Sequence, residues 1–232
     1  MAQHRVGIIT GLAREAQCFH RQGANERLKV VCVAADPGRA AAAAGELAGP
    51  EGCGGLVSFG VAGGLAPGAP PGALLLPHCV VTLQGETLTT DTGWRQRLID
   101  GLDWPFPPIE ARIIGIDSPV KSAKHKRRLW RQTGAHAVDT ESHAVARAAV
   151  AANVPFLVIR AIADPCQRDV PSWLPGTIAD NGTPDLGAVL GGILQRPWQL
   201  PRLVILGLDF RRAMKTLRRV ALRGQPLLFF TR

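Results

Sequence analysis

Short apolar runs alternate with amphipathic stretches over the first 165 residues, and this alternation predicts strands wound together with helices. Residues 5–10 read as a buried strand, and Gly11 turns the chain into a helix carrying Arg14, Glu15 and Phe19. Residues 28–35 predict a second, valine-rich strand, and the alanine-rich stretch 38–47 predicts a helix stopped at Gly49-Pro50. A third strand is expected over 55–60, followed by a glycine-rich loop over 61–68. Residues 73–83 predict one strand buried on both faces, 84–92 a polar loop and 94–102 a helix. Further strands are expected over 111–116 and 155–163, and helices over 122–132 and 141–153. Such an order implies an α/β fold with helices on both faces of a mixed, mainly parallel sheet, in which ligands gather at the carboxyl ends of strands.

Beyond Pro165 the pattern changes. Pro171, Pro175, Gly176, Gly182 and Pro184 mark a loop, and residues 186–194 predict a short helix. From 200 onward Leu203, Leu206, Phe210, Met214, Leu217 and Ala221 recur at helical spacing with arginines between them. No internal repeat is visible. A chain of 232 residues suits one catalytic domain, expected over 1–195, with a C-terminal extension over 196–232.

Charge changes the picture of that extension. Of 27 basic and 18 acidic residues, nine basic and one acidic fall within 196–232, which leaves 18 and 17 in the rest. All but one unit of the formal net charge of +9 therefore belongs to the tail. A helix with an apolar stripe bordered by Arg211, Arg212, Lys215, Arg218, Arg219 and Arg223 suits either of two placements. It can lie on an anionic membrane surface, with Leu227, Leu228, Phe229 and Phe230 adding apolar surface, or it can pack on the domain with a solvated basic rim. A second basic cluster, from Lys121 to Arg131, falls on the helix expected over 122–132. An arginine-rich helix can also follow nucleic-acid phosphates, but the charge-balanced remainder and the lack of a recognised module argue against that partner.

No apolar run approaches the roughly 20 residues needed to span a bilayer. Met1 to Arg5 lead into a strand rather than a signal-peptide core, so a cytoplasmic protein is expected, at most associated with the inner membrane surface. Cys18, Cys32, Cys53, Cys79 and Cys166 are odd in number and widely spaced, which suggests neither a disulfide framework nor a zinc site.

The candidate chemistry lies in two runs, Val138-Asp139-Thr140-Glu141-Ser142 and Arg160-Ala161-Ile162-Ala163-Asp164. They place carboxylates and an arginine where strand ends meet helix starts. Each residue also has a plain structural reading. Asp164-Pro165 can be a turn, Glu141 an acid in the first turn of a helix, Glu15 a solvated helix position, and Arg160 half of a buried ion pair with Glu15 or Glu141.

These runs, together with Val6-Gly7-Ile8-Ile9, Glu15 and Gly60-Val61-Ala62-Gly63-Gly64-Leu65, resemble the nucleoside phosphorylase superfamily over about residues 5 to 165. The resemblance is closest to the methylthioadenosine/S-adenosylhomocysteine nucleosidases. The shortened middle and arginine-rich tail are similar to the hopanoid-associated phosphorylases, which are linked to adenine release from adenosylhopane. The resemblance implies a three-layer αβα fold, cleavage of an N-glycosidic bond, no metal or organic cofactor, and a homo-oligomer. It further implies that Asp164 assists the leaving purine at N7, that Glu141 accepts hydrogen bonds from the ribose hydroxyls, and that Glu15 activates the nucleophile with Arg160 beside it. Gly63 and Gly64 would present backbone to the ribose, Thr140 would stand where a methionine usually covers the sugar, and Val120 would meet the adenine edge. Val61 and Ala163 replace serines common in the family. Water is favoured over phosphate as nucleophile, because the arginine-serine signature of the phosphate loop is missing; Arg14, Lys121 or His125 are the remaining anion ligands if phosphate is the co-substrate. The expected substrate is a small nucleoside with a lipid-like 5′ group.

Overall fold

Nine strands form one mixed sheet in a computed structural model that describes residues 5–20, 26–102 and 107–229. β1 (Val6–Thr10), β2 (Leu28–Cys32), β3 (Gly55–Gly64) and β9 (Phe156–Asp164) make a parallel core, with β3 lying between β1 and β9. The other half of the sheet runs through β8 (Ala137–Asp139), β7 (Arg112–Gly115), β5 (Cys79–Val81) and β6 (Thr87–Thr89), and β4 (Leu74–Leu75) pairs antiparallel with β9. The two halves meet at Gly63, which pairs with Asp164 on one side and with Val138 on the other.

Alternation along the central strands divides the core into two layers. Val57 and Phe59 of β3 and Leu157 and Ile159 of β9 face α1 (Ala13–His20), α3 (Thr92–Gly101) and α7 (Leu200–Gly224). Leu56 of β3 and Val158 and Ile162 of β9 face α2 (Pro37–Ala48) and α5 (Ser142–Ala151). A strand buried on both faces reads as a continuous apolar run, as these two do. The resulting arrangement is the expected α/β fold, with helices on both faces of a mixed sheet.

Three boundaries differ from the sequence expectation for physical reasons. The glycine-rich segment after Gly60 is not a loop: β3 continues to Gly64 because its backbone pairs with β9 and then with β8. The strand expected over 73–83 is broken into β4 and β5 by Pro77, which has no N–H to give to a ladder. Part of the polar stretch 84–92 becomes β6, which pairs with β5 as a hairpin.

The basic tail is built into the domain. Ala213, Met214, Leu217, Val220 and Ala221 of α7 are buried in the layer that covers β3 and β9, while Arg211, Arg218 and Arg223 stay at the rim. The second half of α7 therefore takes the packed placement rather than lying free. Leu228 is also buried; Phe230 and Met1 to His4 lie outside the described residues. Among the described residues no helix is long and apolar enough to cross a membrane, and no group of His, Cys, Asp and Glu could hold a metal.

Candidate active site

Glu15 enters the site because α1 begins directly after Gly11 and turns its first-turn carboxylate back over the end of β1. Oε2 accepts the Leu12 N–H at 2.8 Å and Oε1 accepts the Val61 N–H of β3 at 2.8 Å, so both oxygens are fixed in a side chain only 1% exposed. Burial pushes its pKa up to about 7, with Glu141 adding to the rise and Arg160 and the two amides opposing it. A carboxyl poised there exchanges protons near neutral pH, which suits a general base.

Gly60 makes room for this group. A Cβ at position 60 would stand 2.8 Å from both Glu15 carboxylate oxygens and would also collide with the Arg160 guanidinium, because Gly60 and Arg160 are partners in the β3–β9 ladder. Arg160 is 1% exposed, so its charge requires partners. Its Nε donates to Asp139 Oδ2 at 2.6 Å, and Nη2 donates to Ser58 Oγ at 2.8 Å and Glu141 Oε2 at 3.1 Å. Burial alone would weaken the guanidinium, but Asp139, Glu141 and Glu15 together hold its pKa above the ordinary value. It stays charged.

Asp139 and Glu141 divide two tasks at the start of α5. Asp139 caps the helix: the Ser142 hydroxyl and N–H both donate to its Oδ1, at 2.6 and 3.3 Å. Glu141, at the N-cap position, makes no capping bond, and its carboxylate instead faces the cavity and Arg160. Burial raises its pKa, with Asp139 acting in the same direction and Arg160 against it. The Thr140 hydroxyl donates to Glu141 Oε1, so this side chain steadies the carboxylate.

Asp164 ends β9 on the far side of Gly63. Its carboxylate is joined by the ammonium of Lys126 from α4 (Ala123–Thr133), a lysine with no solvent exposure that also donates to the carbonyls of Arg168 at 3.0 Å and Pro165 at 3.2 Å. Burial pushes the Asp164 carboxyl up, against the pull of Lys126. The sequence places Lys126 in the basic cluster on the helix expected over 122–132. One signal did mark it: Ala123, Lys126 and Leu129 share the spacing of the helix's buried stripe, where a lysine needs a partner.

Glu15, Gly63, Val120, Asp139, Thr140, Glu141 and Asp164 all line one cavity of about 540 Å³, a size suited to a small ligand. Two expected residues do not. Arg160 lies beneath the carboxylates and reaches the cavity only through them. Gly64 faces the packing of its own sheet, where a Cβ would meet Ile162 at 3.2 Å and the Ala69 and Asp164 carbonyls at 3.4 Å. Arg14 and Lys121 reach the wall, whereas His125 does not. The cavity continues between the loop after β9 and two helices, where Val170, Leu174, Ile178, Val189 and Ile193 of that loop and of α6 (Leu186–Gln195) join Leu203, Leu206 and Phe210 of α7.

A fold with these features has known counterparts. The structure is similar to the methylthioadenosine/S-adenosylhomocysteine nucleosidase of Colwellia psychrerythraea in complex with adenine (TM-score 0.74, 15% identity, 98% of this chain and 97% of that one). It is similarly close to the Helicobacter pylori nucleosidase of the same name (TM-score 0.72, 15% identity, 98% of each chain) and to the H. pylori futalosine hydrolase (TM-score 0.71, 14% identity, 97% of each chain). A comparison with curated protein sequences gives no match. The family model described as Phosphorylase superfamily matches residues 21–194, three quarters of the sequence, and the chain belongs to that superfamily.

Proposed function

We propose that this enzyme hydrolyses the N-glycosidic bond of an adenine nucleoside whose 5′ position carries a large apolar group, with adenosylhopane as the favoured substrate. One observation carries the reading: a single cavity has carboxylates at the strand ends and an apolar wall on α6 and α7. The reaction leaves an oxocarbenium-like sugar and an electron-rich purine, so it calls for negative charge near the ribose and a proton donor near the base. Glu141 accepts the ribose hydroxyls, and Asp164 delivers a proton to N7 as the bond from C1′ to the base breaks. Glu15 takes the proton from the water that attacks C1′. Arg160 is a positioning residue, holding Asp139 and Glu141 at the sugar.

Water is favoured over phosphate on charge. Asp139 and Glu141 already occupy the one buried guanidinium beneath the site, so Arg160 is not free to hold a phosphate dianion, and Arg14 and Lys121 are the cations left at the wall for one. No organic cofactor enters the scheme.

The neighbours bear on the substrate by analogy: the Colwellia nucleosidase holds adenine, and a mutant of the Helicobacter pylori nucleosidase holds methylthioadenosine. The apolar wall and the hopanoid-associated resemblance support the larger 5′ group. The test is incubation of the protein with adenosylhopane and with methylthioadenosine, each with and without phosphate, followed by mass analysis of the sugar product. Free adenine with a ribosyl product unaffected by phosphate is expected, with adenosylhopane turned over at the higher kcat/KM. A ribose 1-phosphate product would overturn hydrolysis, and preference for methylthioadenosine would overturn the 5′ assignment.

A further inference from the structure

The helix α6 has the sequence LGAVLGGILQ, without a charged residue, yet none of its residues is buried. One face of α6 and of the first half of α7 walls the cavity, and a second apolar face of each points to solvent. Leu190, Leu194 and Trp198 are 60%, 81% and 71% exposed, and Leu200, Val204 and Leu208 continue the surface along α7. An apolar helix that finds no core within its own chain is expected to be covered by something else.

Charge indicates what covers it. Between Asp185 and Asp209 there is no acidic residue, while Arg196 and Arg202 stand within the apolar stretch. Next to it lies a groove of about 650 Å³ lined by Arg14, Arg211, Lys215, Arg218, Arg219 and Arg223, which shares Arg14 and Phe210 with the catalytic cavity. A second copy of this chain, meeting the surface through a two-fold axis, would set Arg196 and Arg202 against the same arginines with no acid to pair them. An anionic phospholipid surface answers both features at once: acyl chains cover the leucines, headgroups meet the arginines, and a tryptophan sits at the boundary.

We infer that α6, the first half of α7 and the adjoining basic groove form a docking face for an anionic bilayer, placing the apolar end of the cavity against lipid. The inference rests on the apolar 5′ reading for its purpose, but its measurement does not.

Co-sedimentation of the full chain with vesicles of phosphatidylcholine and phosphatidylglycerol, without substrate, reads docking directly. Binding to these vesicles should exceed binding to phosphatidylcholine alone by tenfold or more and weaken with salt, and Leu190→Asp with Leu194→Asp should lower it at least tenfold. Those two side chains lie outside the cavity wall, so adenine release from methylthioadenosine should stay within twofold and reads the reaction separately. No association with anionic vesicles, or association unchanged in the double variant, would overturn the proposal. So would loss of a dimer in that variant with vesicle binding retained, which would assign the face to a second copy.

Discussion

In the proposed scheme one proton on Glu15 would couple the chemistry to stability. Its folded pKa of about 7 lies above the ordinary value of 4.5, so the folded state holds a proton that the unfolded chain releases between those values. Its contribution is fully favourable below about pH 4.5 and is lost as pH rises through about 7, a difference on the order of 3 kcal/mol. Unfolding free energy should therefore fall across this window in the native protein and vary less in Glu15→Gln, as denaturant titration at several pH values would show. Activity should run the other way, with kcat/KM rising through about pH 7 as the base ionises. Glu15→Gln should lose that limb together with about two to four orders of magnitude in rate. Asp164 poses a different test, because removing it strands a fully buried ammonium. Asp164→Ala should abolish most turnover and also cost about 3–5 kcal/mol. Adding Lys126→Met should restore much of the stability and none of the turnover, which thermal melts and adenine assays would separate. The carboxylates of this site were legible in the sequence, since strand-end acids followed by helix starts are local patterns. Lys126 was legible only as a position on the stripe shared with Ala123 and Leu129, and its pairing was not, because its partner lies 38 positions away.

At the scale of elements, the apolar runs located the core strands well, because a strand buried on both faces has few alternatives. β6 and the end of β3 were missed for a common reason: pairing with a neighbour, rather than local propensity, makes those residues strands. Gly60 shows what β3 contributes beyond pairing, since two functional side chains occupy the space its own would take. Gly60→Ala should push Arg160 and Glu15 apart, lowering kcat at least tenfold and the melting temperature by several degrees, with circular dichroism reporting a retained fold.

Across the whole molecule, the charge asymmetry between residues 1–195 and 196–232 set off an extension that could pack on the domain or lie on a membrane, and the second half of α7 packs. Charge is a property of the rim, whereas the buried stripe of Ala213, Met214, Leu217, Val220 and Ala221 decides where the helix goes. Deleting 200–232 would expose β3 and β9 as well as open the cavity. The truncated chain should accordingly lack a cooperative melt and release no adenine, a result differential scanning calorimetry would record.

The junction at Gly63 and Gly64 has a consequence for the local stability of the sheet. Glu141 follows β8 and Asp164 ends β9, and among the described residues those two strands share no neighbour except β3. On the proposed reading, sugar and base are held by separate halves of a sheet joined where Gly63 and Gly64 pair with β8, so a nucleoside spanning both would act as a brace across that seam. Amide hydrogen exchange at 62–65 should slow when an intact nucleoside is bound and recover once the bond is cut, even while adenine still occupies its side.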